Sequence, residues 1–499
     1  MVLYLNGHTY KYELEHLVKM FFPFIKLKIA YDQTGDTENA VVTTRIEEAD
    51  EARLTVTVRY DGNIVSRIRT VNKLRADYSA ECERVFAVMI YELLEEITGI
   101  SPKWGILTGI RPVKRAAEWL EDGFPPEEIL EQFEQLYKVS PQKTQLLLDI
   151  ARLQRPVIRQ IREQDFSLYV SIPFCPTRCR YCSFVSHSIA QAKKLIPDYL
   201  DKLCEEIRAT GALADKLGLR LKTVYFGGGT PTTLEAPQLD RLFQAIRQAF
   251  DCSAVTEYTV EAGRADTITR EKPLTIYDAG VTRISINPQT FDDRVLERIG
   301  RKHTAAQVVD CYQMAREIGF DNINMDFIAG LDGDSYEGFC RTLETALSLA
   351  PENITVHTLS VKRSSDLYYD AAMIDAVRNN PTAAMTDFSQ KALASAGYFP
   401  YYLYRQKNTV QNLENVGFCK PGREGIYNIY MMEELETVLA VGAGAVSKLV
   451  CQQNGYIERI FNYKYPYEYI RQFDEMLKRK QKAEEFYERQ PVEQTKQTL

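Results

Sequence analysis

Residues 168–187 read LYVSIPFCPTRCRYCSFVSH. The first seven alternate or run apolar as a strand does, and the strand empties into a loop with Cys175, Cys179 and Cys182. Three of the chain's ten cysteines thus fall within eight positions. A closed tetrahedral zinc site and an iron–sulfur cube each normally take four ligands, so three is one short. His187 could complete a Cys3His zinc site, which would be structural. A four-iron cluster on three thiolates keeps one iron open for an outside ligand, such as the amine and carboxylate of an amino acid. The C-x3-C-x2-C spacing alone leaves this choice open.

Outward from this loop the chain settles into a repeating pattern. TVYFGGG (223–229), EYTVEAG (257–263), TRISINPQ (282–289), INMDFIAGL (323–331) and ITVHTLS (354–360) read as further strands. Amphipathic stretches lie between them, such as 196–218, 236–250, 304–319 and 336–350. Six βα units predict a parallel sheet covered by helices, and suit a partly closed barrel better than a short doubly wound sheet. Polar or glycine-bearing residues recur where each strand ends, the end at which such folds place their chemistry. Gly227, Gly228 and Gly229, followed by Thr230 and Pro231, end the second strand. Lacking Cβ atoms, these glycines let the backbone approach a ligand. No G-K-[ST] follows, so the turn is not a phosphate loop.

The rest of the chain adds bulk around this core. The first 165 residues predict an α+β module, with a hairpin about Asp61-Gly62, a helix ending near Gly99, and helices over 125–163 broken at Ser140-Pro141. From about residue 376 helices dominate, with YYLYRQKN (401–408), VLAVGAGAVSKLV (438–450) and a charged terminal helix. The expected domains are 1–165, 166–375 and 376–499. At 499 residues, 45% hydrophobic and 26% charged, the chain can bury a large core. A net charge of −7 argues against a general nucleic-acid or membrane-surface binder. No run of eighteen apolar residues predicts a membrane span, and the N-terminus lacks a secretion-signal layout. A cytoplasmic protein with reduced thiols is expected, in which most of the other seven cysteines, scattered singly, are small buried residues.

The three-cysteine loop with Tyr181, the GGGTP turn, Glu261, RISINPQ (283–289), Arg301 and NINMDFIAGL (322–331) occur together and in this order. In this the chain resembles radical S-adenosylmethionine (SAM) proteins of the oxygen-independent coproporphyrinogen III oxidase family, over roughly residues 166–375. The added N-terminal module resembles the coproporphyrinogen dehydrogenase HemZ branch. The resemblance implies an α/β fold: a partial (β/α)6 radical SAM barrel with an N-terminal α+β module and a mainly helical C-terminal module, a possible substrate cover. It implies a [4Fe-4S] cluster held by Cys175, Cys179 and Cys182, with SAM on the open iron and room for a second SAM. It places Tyr169, Tyr181, Gly228, Gly229, Thr230, Glu261, Gln289, Arg301, Asp326 and Ser360 at SAM-contacting positions. Tyr181 would hold the adenine through its backbone, and the GGT turn would meet the methionine part. Carboxylates suit ribose hydroxyls and the ammonium group, and a guanidinium suits a carboxylate.

The implied activity is oxidative decarboxylation of two propionates of coproporphyrinogen III to vinyls, giving protoporphyrinogen IX in porphyrin and haem biosynthesis. That implies a tetrapyrrole substrate, an electron donor and an electron acceptor. Two positions depart from the family's oxidases. Ser171 stands where the stretch before the cluster usually has histidine, and Phe184 where the oxidases have a fourth cysteine. Phe184 is the pattern of the group's haem-handling chaperones. A haem-binding chaperone with His187, His303 or His357 as ligand is therefore a second reading, and a radical SAM enzyme on another substrate a third. A zinc-stabilised interaction protein is the remaining alternative. Lys362, Arg363, Arg405 and Lys407 are the cations nearest to a propionate-anchoring role, against an ordinary solvated one.

Overall fold

The computed structural model describes residues 1–22, 25–32, 40–109, 111–184, 186–362, 364–369, 380–406 and 409–489. The chain forms two compact units. One comprises Met1–Ala151 with Arg405–Glu414, the other Arg152–Tyr404 with Asn415–Leu499.

The first unit is built on strands β1 (Val2–Asn6), β2 (Lys28–Tyr31), β3 (Ala40–Glu48), β4 (Glu51–Tyr60) and β5 (Asn63–Asn72), in the order β2-β1-β3-β4-β5. β4 and β5 form the hairpin expected from Asp61-Gly62, and both turn residues have positive φ (49° and 78°). That left-handed pair matches the twist of the flanking strands. Alternation on β4 buries Ala52, Leu54, Val56 and Val58 on one face. They share a core with Leu14, Leu17 and Val18 of helix Tyr12–Phe21 and with Phe86, Met89, Ile90 and Leu94 of helix Tyr78–Thr98. Each such side chain contributes roughly 1.5–3 kcal/mol on burial. The second helix stops at Gly99, whose φ of 67° returns its N–H to Glu95 O. Helices Pro126–Tyr137 and Pro141–Ile158 flank the break at Ser140-Pro141. The inserted segment is held from within the unit: Glu414 accepts from Trp104 Nε1 (2.8 Å) and pairs with the buried Lys143 (2.5 Å).

The second unit carries the six expected parallel strands: β6 (Asp165–Ile172), β9 (Arg220–Gly228), β10 (Glu257–Gly263), β11 (Arg283–Ile286), β12 (Ile323–Ala329) and β13 (Asn353–Thr358). They lie side by side in that order, every neighbouring pair parallel. Helices Ile196–Lys216, Ala236–Ala249, Glu271–Asp278, Ala305–Ile318 and Tyr336–Leu349 make the crossovers. Local caps start several of them. Thr304 and Gln307 form a capping box, and Ser335 accepts from Gly338 N–H. This is a partial (β/α)6 barrel. Two short strands, β7 (Phe174–Cys175) and β8 (His187–Ser188), pair with one another and close the cysteine loop.

The C-terminal region contributes helices Thr382–Ser395, Ile426–Glu433, Pro466–Arg471 and Phe473–Glu488. It also lengthens the barrel sheet, which has eleven strands among the described residues. β14 (Phe399–Arg405) and β15 (Glu414–Cys419) extend it beyond β13; β16 (Thr437–Val441), β17 (Val446–Val450) and β18 (Ile457–Phe461) extend it beyond β6. β16 runs parallel to β6, and the next two turn antiparallel.

Candidate functional site

β6 carries the chain to the cysteine loop, which is fastened along its length. Arg180 N–H donates to Ile299 O (3.0 Å), Thr177 Oγ1 to Gly300 O (3.2 Å), and Cys182 N–H to Cys179 O (3.0 Å). All three thiols are free, Cys179 buried and the other two half-buried. Thr230 Oγ1 donates to Cys175 Sγ at 3.5 Å. Burial, then the neighbouring thiols, pushes Cys182 up to about 11; burial likewise raises Cys175. Metal binding here must therefore displace protons. Among the described residues no three His, Cys, Asp or Glu side chains converge as a single ion requires. His187, the candidate fourth zinc ligand, instead packs edge-on against Tyr465 and Tyr467 at 5.8 and 6.4 Å.

The glycine turn is laced to the strand that delivers the cysteines. Gly229 N–H donates to Ile172 O and Thr230 N–H to Phe174 O, both at 2.8 Å. A Cβ on Gly229 would stand 2.5 Å from Phe174 O, a separation no side chain adopts. Gly228 has φ of 104°, and a Cβ there would lie 3.0 Å from Ser171 Oγ. Ser171 donates to Ala443 O (2.8 Å) and so ties β6 to the turn after β16.

Facing strands bring the polar residues together. Tyr169 pairs in register with Tyr225, so both rings leave the same face of the sheet. They stack with Tyr427, the Tyr225–Tyr427 centroids 4.5 Å apart. Tyr225 hydroxyl donates to Glu261 Oε1 at 2.6 Å. Burial pushes Glu261 up to about 7; the Tyr225 hydrogen bond opposes this and the Asp326 charge adds to it. Asp326 takes the other course. Burial raises it, but His357 at 3.8 Å and the Asn324 Nδ2 hydrogen bond at 2.8 Å outweigh burial and leave it below the usual carboxylate range. Two buried carboxylates with pKa values driven apart are an arrangement that acid–base sites use, and structural ion-pair networks share it.

Gln289 reaches the same cluster by a bulge. β11 stops at Ile286, yet Gln289 rejoins the sheet opposite Phe327, donating to Asp326 O and accepting from Ile328 N–H with φ of 70°. Its Oε1 is buried and meets no partner, as is Arg301 Nε. Arg301 Nη1 donates to Asn287 O (2.5 Å); burial disfavours its charged form, but the Tyr181 and Cys179 side chains beside it outweigh burial and hold its pKa above the usual guanidinium value. Ser360 lies half-buried two residues past β13.

The remaining candidates separate. Arg405 belongs to the first unit, buried over the Trp104 ring at 5.1 Å and donating to Gly109 O and Asn412 O. Lys362 is half-buried near Cys182, and burial lowers its pKa. Arg363 and Lys407 lie outside the described residues. His357 is engaged with Asp326 and Tyr404, and His303 lies beside Asp266. A cavity of about 580 Å³, lined by Glu257, Arg283, Asn322 and Arg423, opens at the opposite strand ends, where βα folds do not place their chemistry. Tyr225, Tyr427 and Arg264 were not singled out from sequence. Strand alternation places Tyr225 on the face of Tyr169; nothing local marks the other two.

The Radical SAM superfamily model matches residues 169–346, a span that contains the cysteine loop, glycine turn, Glu261, Gln289, Arg301 and Asp326. The oxygen-independent coproporphyrinogen-III oxidase-like protein HemZ of Bacillus subtilis (strain 168) is 34% identical over 468 residues, which cover 92% of this chain and 93% of that protein. The chain belongs to this oxygen-independent coproporphyrinogen-III oxidase-like family of radical SAM proteins. The superfamily works with a [4Fe-4S] cluster and SAM. The heme chaperone HemW of the same organism is 32% identical, covering 56% of this chain and 70% of its own length. The Escherichia coli HemW is 28% identical over 58% and 71%. Among solved structures, the coproporphyrinogen III oxidase HemN of Escherichia coli is 24% identical, covers 66% of this chain and 73% of that one, and has a TM-score of 0.49. No helix among the described residues is long and apolar enough to cross a membrane.

Proposed function

We propose that the chain is a cytoplasmic radical SAM oxidoreductase that decarboxylates two propionates of coproporphyrinogen III to vinyls, yielding protoporphyrinogen IX for haem biosynthesis. The observation that carries the reading is an unclosed three-thiol loop fastened to the glycine turn and set beside Arg301, with Glu261, Gln289 and Asp326 on the neighbouring strands, in a chain alignable with HemZ over nearly its whole length. The residues fit the cofactors. Of the three unbridged thiols, Cys175 meets a donor from Thr230 and Cys179 one from Arg264, and Gln289 and Arg301 keep unspent polar atoms.

In this reading Cys175, Cys179 and Cys182 ligate the cluster. Tyr169, Tyr181, Gly228, Gly229, Thr230, Glu261, Gln289, Arg301, Asp326 and Ser360 hold one SAM or two. When bound, cluster and SAM supply a carbon-centred radical able to remove a hydrogen atom. Taken from the β-carbon of a propionate, that hydrogen leaves a substrate radical; loss of CO2 and of one electron to an acceptor completes the vinyl. An electron donor is needed as well. Residues 166–375 form the catalytic core, 376–499 help cover the substrate, and 1–165 form a module of undefined task.

A second reading, a haem chaperone of the same family, is favoured by Phe184, which stands 68% exposed where the oxidases carry cysteine, and by the HemW relatives. An anaerobic assay separates the readings: reconstituted protein, SAM, reductant and coproporphyrinogen III, with 5′-deoxyadenosine and vinyl product followed together. Both products in the wild type and neither in Cys179→Ala are expected. 5′-Deoxyadenosine alone would redirect the search to another substrate, and haem binding without SAM cleavage would establish the chaperone.

A further inference from the structure

Arg264 follows β10 directly and is almost wholly buried, its side chain 3% exposed. Its guanidinium is divided between two tasks. Nε and Nη2 grip Asp266 as a fork, at 2.9 Å to Oδ1 and 2.7 Å to Oδ2. Nη1 turns to the cysteine loop, donating to Thr177 O (3.1 Å), Thr177 Oγ1 (2.8 Å) and Cys179 Sγ (3.8 Å). Asp266 is backed by the buried ring of His303, with Nδ1 3.5 Å from Oδ1. The row Cys179–Arg264–Asp266–His303 thus sets a guanidinium against the middle cysteine, a carboxylate behind it and a buried imidazole behind that.

A guanidinium confined by burial is costly unless paired, and Asp266 supplies the pairing. That alone would explain a structural ion pair. It does not require the third edge of the fork to lie on a thiol sulfur. An N–H donor and a fixed positive charge beside a cluster sulfur favour added negative charge, and hence the reduced cluster. Asp266 stands on the far side of the cation and opposes that field from a greater distance.

We propose that Arg264 is a positioning residue of the cysteine loop that raises the reduction potential of a cluster bound through Cys179, with Asp266 as its counter-charge. The inference rests on the cluster reading above. The test uses the full-length chain, reconstituted anaerobically with iron and sulfide. Iron content, melting of the metal-free protein and an EPR-monitored redox titration are measured in each variant. Arg264→Met removes the positive charge and should move the midpoint to more negative potential. Asp266→Asn leaves that charge unopposed and should move it to more positive potential, and Arg264→Lys should fall between wild type and Arg264→Met. A purely structural pair would give no such opposite shifts. Unchanged midpoints in variants loaded like the wild type overturn the proposal, as do shifts of the same sign. Should Arg264→Met fail to fold, the positive shift of Asp266→Asn decides alone. A wild type that takes up no cluster overturns the cluster reading and this inference with it. Opposite shifts without SAM cleavage would uphold the inference and overturn only the proposed reaction.

Discussion

Glu261 and Asp326 sit in one barrel and carry opposite perturbations, because one faces a neutral hydroxyl and burial while the other faces an imidazole and an amide. Between about pH 4.5 and about pH 7 the folded chain keeps a proton on Glu261 that the unfolded chain has lost. Stability is therefore highest below the unfolded value, falls as pH rises through this window, and is level above it. At roughly 1.4 kcal/mol per unit, holding this carboxylate ionised costs up to roughly 3 kcal/mol. Glu261→Gln should thus raise the urea stability of the cofactor-free protein at pH 8 by roughly 1–3 kcal/mol and flatten its decline between pH 5 and pH 7. The same change should weaken SAM binding by about tenfold or more, since an ionised acceptor is lost. Calorimetric titration with SAM and urea melts at both pH values check the two halves; a variant that binds SAM normally removes Glu261 from the site. The candidacy of both carboxylates is visible in sequence through the ordered motifs. Their division of labour is not, because Tyr225 and His357 reach them from other strands.

At the scale of elements, the turn Gly227–Thr230 and the β6–β7 strand segment act as one piece. Two backbone hydrogen bonds join them, and a methyl on Gly229 would meet the carbonyl oxygens of Phe174 and Ile172 at 2.5 and 2.9 Å. Both are main-chain atoms, so neither can swing aside. Gly229→Ala should cost about 1–3 kcal/mol and displace the strand that sets Cys175. Iron content after reconstitution should fall well below that of the wild type, whereas Gly218→Ala, at an open surface turn, should load normally. Equal loading of both would show that the close approach does not govern the loop. The helices and strands of this region follow from periodicity and caps. The bulge that returns Gln289 to the sheet does not, since its φ of 70° is imposed by pairing with Asp326 and Ile328 rather than by any glycine.

Across the whole molecule, Glu206 is the joint between barrel and C-terminal region. Wholly buried on helix Ile196–Lys216, it accepts from Gly442 N–H, Asn462 Nδ2 and the Tyr469 hydroxyl, and pairs with Lys480 Nζ at 3.0 Å. Lys480→Met strands that carboxylate without its cation and should cost about 3 kcal/mol in urea unfolding, while pairing it with Glu206→Gln should recover much of the loss. A double variant no better than the single one would assign the cost to packing instead. By itself the sequence determined what is set over short distances: the six βα units, the hairpin at Asp61-Gly62, the α+β start, the cysteine loop and the ordered motifs that place the chain in its family. Only the tertiary structure decided what depends on register between distant strands. That includes the Tyr169–Tyr225–Tyr427 stack, the strands β14–β18 that widen the barrel sheet, and the place of Arg264 on Cys179. Periodicity and spacing act within one element, whereas a side chain's partners and charge are set by other strands and loops, such as Tyr225 for Glu261 and Arg264 for Cys179, which only the closed sheet brings together.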